Sequence, residues 1–337
     1  MRILIFIIFS GCQSDPGLFY HETGDSYIVY SGGDLRSTLT YIQNQHIKDQ
    51  VKTHLQKIKK NPWSINDYNQ LAYLYLSSGQ INQAHKIVEK ALKIDFRSRR
   101  SRILKAAVAY RKNRDMEAKM LLELLGGERA PEAEVSFYLS SIALRKGDTE
   151  ESRRLLQIAI RKNPKFVAAY MNLGLFYLKN YQADLARSNF KKVLRLIPNH
   201  DDARLHLAIL DAMSKRYQKA RDVYDDLHSK YPNNGMIILN RGVLSLKQNQ
   251  ISDAYDDLLY YLDSIPEYQK SRHSAQTLWS GIQSMNKRKK SISYTEEIKI
   301  NEKINNLRSS FRNVDLDVVE TVSGFVFTPK GAKPIGI

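Results

Sequence analysis

The sequence contains one cysteine, Cys12, in 337 residues. A lone thiol excludes an internal disulfide and any cysteine-rich metal site. The eight histidines form no H-E-x-x-H pair and no cluster at ligand spacing, so no metal site is expected. There is no G-x-S-x-G nucleophile. Gly126-Gly127 and Ser31-Gly32-Gly33-Asp34 are isolated turns without the strand–loop–helix context of a phosphate cradle. The carboxylates are scattered at helix-surface spacings. These absences leave no catalytic residues, no cofactor and no small-molecule substrate to assign, and the chain reads as a non-enzyme. No later stretch reaches the roughly 18–20 apolar residues of a membrane-spanning helix, so contact with a membrane is by an anchor or by the surface.

Acidic residues are also in short supply. Thirty-five Asp and Glu face 52 Lys and Arg, a formal charge of +17. That balance implies acidic partners or anionic surfaces and carries no information about fold.

What the sequence does have is a period. Steps of 34 residues from Ala84 meet Ala118, Ser152, Ala186, Ala220 and Ala254, and the same step from Pro164 meets Pro198, Pro232 and Pro266. Each unit reads as two helices. In the best copy Tyr170, Leu173, Gly174 and Tyr177 form one helical stripe, and Ala186, Phe190 and Val193 form the second. Small residues at Gly174 and Ala186 allow close helix approach, and Pro198 ends the second helix because it lacks an N–H and clashes with the preceding turn.

The unit resembles the tetratricopeptide repeat (TPR), carried by Tyr68, Leu71, Ala72, Tyr75, Gly79, Ala84 and Ala91 in the first copy and by Tyr170 to Pro198 in the fourth. The resemblance implies an all-α fold, a right-handed superhelical solenoid of about six helix–turn–helix repeats at 65–98, 99–132, 133–166, 167–200, 201–234 and 235–268. The second copy is the most divergent, with Arg102 and Lys105 where large apolar residues are usual. A helix over 34–64 is expected before the array, a capping helix over 269–290 after it, and one more helix over 291–313 with the stripe Ile300, Ile304, Leu307 and Phe311. The β-prone ends, in the 12–33 linker around Gly24-Asp25 and in 314–337 around Ser323-Gly324, are short runs that pair with each other, add to another protein's sheet, or stay loosely ordered.

In this repeat family the concave groove is lined by the second, fifth, ninth, twelfth and thirteenth positions of each unit. The resemblance therefore implies a partner-binding surface of Met171, Leu175, Leu178, Leu205, Ile209, Met213, Met236, Leu239, Val243 and Leu246. It would take an apolar or amphipathic protein segment, unless the side chains pack within their own helix pairs. Nearer the start the groove offers Asn66, Asn69, Tyr73, Arg100, Tyr110 and Arg111. Asn69 and Tyr73 stand where a carboxylate clamp of some relatives has Lys and Asn, so capture of a C-terminal carboxylate is disfavoured. A basic patch of Arg97, Arg99, Arg100, Arg102, Lys105, Arg111, Lys112 and Arg114 faces a membrane surface, an acidic protein, or solvent. Nucleic-acid binding is disfavoured, because of stacking aromatics only Tyr110 is near.

The first residues have the order of a secretory signal: Arg2, the apolar run Ile3 to Phe9, then Ser10-Gly11 before the cysteine. This resembles a bacterial lipoprotein signal over 1–11, with Cys12 lipidated as the first mature residue. Gln13 in place of an inner-membrane-retaining Asp places the expected anchor at the periplasmic face of the outer membrane. The combination is similar to pilotin-type lipoproteins of type IV pilus assembly and to the repeat lipoproteins of gliding-motility and secretion machines. The expected function is thus a membrane-anchored periplasmic scaffold. The alternative is a soluble, cytoplasmic basic adaptor for acidic protein or nucleic acid. Intact mass of the protein from its native cells distinguishes them. The expected species begins at Cys12 and carries acyl chains; an unprocessed species beginning at Met1 removes the lipoprotein reading.

Overall fold

The structure, a computed structural model, describes residues 21–23, 26–28, 39–180, 182–264, 272–289, 292–311, 316–321 and 324–329. Cys12 and the expected signal lie outside the described residues. After the strands β1 (His21–Thr23) and β2 (Ser26–Ile28), helix α1 (Leu39–Lys60) leads into six helix pairs. The first helices are α2 (Ile65–Ser77), α4 (Arg99–Arg111), α6 (Ala133–Arg145), α8 (Val167–Lys179), α10 (Asp201–Met213) and α12 (Gly235–Lys247). Their partners are α3 (Ile81–Ile94), α5 (Asp115–Glu123), α7 (Thr149–Lys162), α9 (Ala183–Leu196), α11 (Tyr217–Lys230) and α13 (Ile251–Ser264). Every first helix starts 34 residues after the one before it.

Local chemistry sets these boundaries. At the fifteenth position of five units the backbone turns to positive φ, at Gly79, Asn113, Gly147, Lys215 and Asn249, which stops the first helix and reverses the chain. Helix α5 has nine residues where the other second helices have 14, because Gly126 and Gly127, at φ 107° and 53°, turn the chain away soon after it.

The core follows the period as well. The small residues Ala84, Ala118, Ser152, Ala186, Ala220 and Ala254 are all buried. One turn further on, Val88, Leu122, Leu156, Phe190, Tyr224 and Leu258 are buried too. A methyl or hydroxymethyl at the first of these positions lets the first helix approach, and the larger side chain fills the space so opened. Gly174 shows how tight that approach is: a Cβ there would lie 2.5 Å from Phe190 Cε1.

Successive first helices touch (α2 with α4, α4 with α6, α10 with α12), whereas among the described elements no successive second helices approach as closely. The array therefore curves with first helices on the concave side and second helices on the convex side. Polar staples in repeat register join the units. The arginines at the twenty-first position reach the eleventh residue of the next unit. Arg153 bonds Tyr177, Arg187 Nη1 lies 2.5 Å from Asp211 Oδ1, and Arg221 Nη2 lies 2.9 Å from Ser245 Oγ. Burial alone would raise the Asp211 carboxyl, but hydrogen bonds from Arg216 and Arg187 hold it below its ordinary value.

Beyond the sixth unit α14 (Arg272–Lys289) buries Leu278, Trp279 and Ile282, and α15 (Tyr294–Phe311) adds Ile300, Ile304 and Leu307 to the same cluster. These two helices cover the apolar end of the array. Ser293 and Glu296 cap α15 reciprocally: Ser293 N donates to Glu296 Oε2 at 2.8 Å, and Glu296 N donates to Ser293 Oγ at 3.4 Å. At the ends of the chain each β-prone run pairs with its own neighbour: β1 with β2, and β3 (Leu316–Thr321) with β4 (Gly324–Pro329), both antiparallel.

Gly174→Ala is expected to lower the melting temperature. The helix-propensity gain of about 1 kcal/mol is offset by an overpacking cost of about 1–3 kcal/mol against Phe190. Thermal unfolding followed by circular dichroism checks this, and a rise in melting temperature would show that Phe190 yields.

Candidate protein-interaction site

The concave side is built from α8, α10 and α12 in the second half of the array, and the side chains expected to form an open apolar groove fall into two groups. Met171, Leu178, Leu205, Ile209, Val243 and Leu246 are at most 4 % exposed and belong to the core clusters. For these six, the expected open surface is corrected. The curvature presses neighbouring first helices together, so these positions pack between helices instead of facing outward. Leu175, Met213 and Leu239 remain half-buried on the same helices. The Met236 side chain lies outside the described residues.

The same three helices also carry a set of buried polar groups that the sequence reading missed. Asn172, His206 and Asn240 occupy the sixth position of units four, five and six, and all three are buried. Asn172 Oδ1, Asn240 Oδ1 and both ring nitrogens of His206 have no hydrogen-bond partner among the described residues. Asp202, one helical turn before His206, is 1 % exposed with both carboxylate oxygens equally unmet. Buried polar atoms normally find partners, so four such residues on three adjacent helices mark a place able to receive hydrogen bonds from outside the fold. Their signal in the sequence was the 34-residue spacing of Asn172, His206 and Asn240, set within otherwise apolar helices.

Burial pushes the Asp202 carboxyl well above its ordinary value, with the neighbouring Asp201 charge adding to it. Burial pushes the His206 imidazole down from 6.5 to about 4, helped by nearby His200. The ring of His206 stacks on Phe190, with centroids 5.1 Å apart. His200 is held down to about 4 by burial, although Asp201 pulls the other way. Its Nδ1 accepts the Ala203 N–H at 3.3 Å at the start of α10, a bond that requires the neutral ring.

The first units present a different surface from the one expected. Arg99 is bound to Glu132 at 2.6 Å, Arg100 to Glu134 at 2.5 Å, Lys105 to Glu89 at 3.0 Å and Arg114 to Glu117 at 3.5 Å. Arg102 Nε donates to the Phe96 carbonyl, Arg111 is buried, Lys112 is half-buried and Arg97 is exposed. The expected continuous basic patch is thus corrected: several of its cations are engaged in joining units. At the polar end of the groove Asn66 is exposed, while Asn69, Tyr73 and Tyr110 are buried. Asn69 accepts from Ser101 Oγ at 2.8 Å, the Arg100 guanidinium lies 5.5 Å from the Tyr73 ring, and Arg145 lies 3.9 Å from the Tyr110 ring. Among the described residues no group of three or more His, Cys, Asp or Glu is placed to hold a metal, and no helix is long and apolar enough to cross a membrane.

The pH dependence follows from these buried groups. The two histidines have depressed folded values, so their contribution is present above pH 6.5 and is lost as pH falls toward about 4. Asp202, with a raised folded value, acts in the opposite sense above 3.8. His206→Asn should therefore flatten the acid loss of stability, and Asp202→Asn should steepen it. Urea titrations between about pH 4 and 7 read each slope, at most about 1.4 kcal/mol per pH unit for one proton.

Family models of the tetratricopeptide repeat match residues 68–97, 137–200 and 177–237. No curated protein matches the sequence. Among solved structures, PilF of Pseudomonas aeruginosa aligns at 23 % identity and a TM-score of 0.52, covering 64 % of this chain and 96 % of its own. PilW, described as a widely conserved type IV pilus biogenesis factor, aligns at 19 % and 0.51, covering 64 % of this chain and 98 % of its own. The APC/C hetero-tetramer Cut9–Hcn1 aligns at 15 % and 0.52, covering 76 % of this chain and 49 % of the other. At these identities the likeness is one of fold. Residues 68–97 and 137–237 thus carry tetratricopeptide repeats, and the fold is similar to those of PilF and PilW.

Proposed function

We propose that this protein is a lipid-anchored scaffold of the bacterial envelope that holds a partner segment on the concave side of units four to six and assists assembly of an envelope machine of the type IV pilus class. The observation that carries the binding reading is that α8, α10 and α12 together bear half-buried Leu175, Met213 and Leu239 and the unmet polar atoms of Asn172, His206, Asn240 and Asp202. The apolar side chains take side chains of the partner. The unmet donors and acceptors take its main chain, whose N–H and C=O groups need partners once removed from water. The envelope assignment is supported by the fold of PilW and by the signal-like run before Cys12. A lipid at Cys12 would confine the scaffold to the membrane plane and raise the effective concentration of a membrane-bound partner. The mechanism requires no covalent chemistry.

A photo-crosslinking residue placed at Leu175 or Leu239 in native cells should give an adduct with one envelope protein. The same residue at exposed Lys191, on α9, should not. The Cys12→Ser variant should shift the protein to the soluble fraction and reduce the adduct. Adducts confined to Lys191, or none at Leu175 and Leu239, would sink the groove assignment. Buried Ile209 is unsuitable as a test position, because a charge there would unfold α10 before it reported on binding.

A further inference from the structure

The second helix of unit two carries a surface that the groove reading does not use. Met116 and Met120 lie near the start and in the middle of α5, Leu124 directly follows its last residue, and the three are 72 %, 58 % and 71 % exposed. Their spacing of four residues places them on one face over about 12 Å of helix. The eighteenth, twenty-second and twenty-sixth positions that they fill are on the convex side. The corresponding residues are Asn82, Lys86 and Lys90 in unit one, Asp184, Ser188 and Lys192 in unit four, and Gln218, Asp222 and Asp226 in unit five. Unit three has Glu150 and Arg154 before Ile158, and unit six has Ser252 and Asp256 before Tyr260. Only unit two is apolar at all three. The fold does not ask for this, since the core stripe of α5 runs through buried Ala118 and Leu122 on its other face.

Charge tells what the ridge fits. Lys86 and Lys90 occupy the matching positions of α3, the neighbouring second helix, and both are exposed with no carboxylate of the described residues at ion-pair distance. Lys146 Nζ sits 3.9 Å from Met116 Sδ. From 81 to 125 the chain has twelve Lys and Arg against five Asp and Glu. Lys86 and Lys90 hold on α3 the repeat positions that Met120 and Leu124 hold on α5, so the two second helices present a basic and an apolar stripe side by side.

We infer that these two stripes dock an acidic amphipathic helix of a partner protein, its apolar face on Met116, Met120 and Leu124 and its carboxylates toward Lys86 and Lys90. Methionine suits such a ridge because its unbranched side chain adapts to the knobs of a packed helix. A single helix can keep its carboxylates on the Lys86 and Lys90 side, whereas an anionic bilayer would also bring headgroups onto Glu117 and Glu123, which border the stripe on α5. The scaffold then has two binding surfaces on opposite sides of the curve, one concave and one convex, and can hold two partners at once.

The test uses the intact protein and a fluorescein-labelled synthetic helix of about five turns, with leucines on one face and glutamates on the other. Anisotropy titration should show saturable binding. Met116→Ser with Met120→Ser should weaken it about tenfold or more. Lys86→Glu with Lys90→Glu should weaken it as well, and should improve binding of a companion peptide with lysine in place of glutamate. All four residues are exposed, so circular dichroism should be unchanged in each variant. Equal binding by wild type and both variants would overturn the proposal. So would methionine-dependent sedimentation with phosphatidylcholine–phosphatidylglycerol vesicles in the absence of peptide binding, which assigns the ridge to lipid. Methionine-dependent self-association in analytical ultracentrifugation without peptide binding would equally overturn it, assigning the ridge to a second copy.

Discussion

The array depends on the close approach of paired helices at the twentieth position of each unit. Five alanines and one serine hold that place, all buried, and each lets its helix settle against the first helix of the pair. Everything outward of this contact follows from it. The larger residue one turn later fills the space between the helices, from Val88 in unit one to Tyr224 in unit five. Gly174 is a local consequence: where Phe190 is the filling residue, the facing helix has no room for a Cβ. With each pair fixed in this way, the contact between successive first helices sets the curvature, and the curvature decides which side chains a partner can reach.

That hierarchy explains what was legible in the sequence. The close contact recurs every 34 residues and tolerates only small side chains, so the period stood out from Ala84 to Ala254 and the helix pairs followed. The exposure of concave positions was not legible, because it depends on how neighbouring units lean together. Leu175 and Ile209 hold the same ninth position in adjacent units and resemble each other chemically, yet one is half-buried and the other lies in the core. Family positions predict the side of a helix. They do not predict how far the next helix has closed over it.

The basic cluster was misread for a related reason. Arg97 to Arg114 looks like one patch along the chain, but Arg99, Arg100 and Lys105 meet Glu132, Glu134 and Glu89, 33, 34 and 16 residues away. Register would have helped: Lys105 with Glu89 and Arg241 with Asp225 join the same two repeat positions in different units. The arginines at the twenty-first position repeat the lesson through Arg153, Arg187 and Arg221. The exposed pairs among them add little stability individually. Their regular spacing acts on register, fixing how each unit sits on the last.

A repeat protein also supplies its own control for judging function. Positions that the architecture constrains look alike in every unit, and resemblance there says only that the fold is kept. PilW and the Cut9–Hcn1 assembly match this fold about equally well, so the fold by itself does not choose a partner. Departures at unconstrained positions carry more information, because nothing in the solenoid requires them. Two such departures stand out: buried polar atoms of Asn172, His206 and Asn240 without a partner among the described residues, and apolar residues left exposed at Met116, Met120 and Leu124. Each runs against solvation in its own direction. A buried acceptor without a donor and an exposed methionine ridge are both more costly in the free protein than in a complex that satisfies them. On the two proposed readings, the same free-energy difference that makes these sites unfavourable alone would drive association, through hydrogen bonds at the first set and through apolar contact and charge at the second.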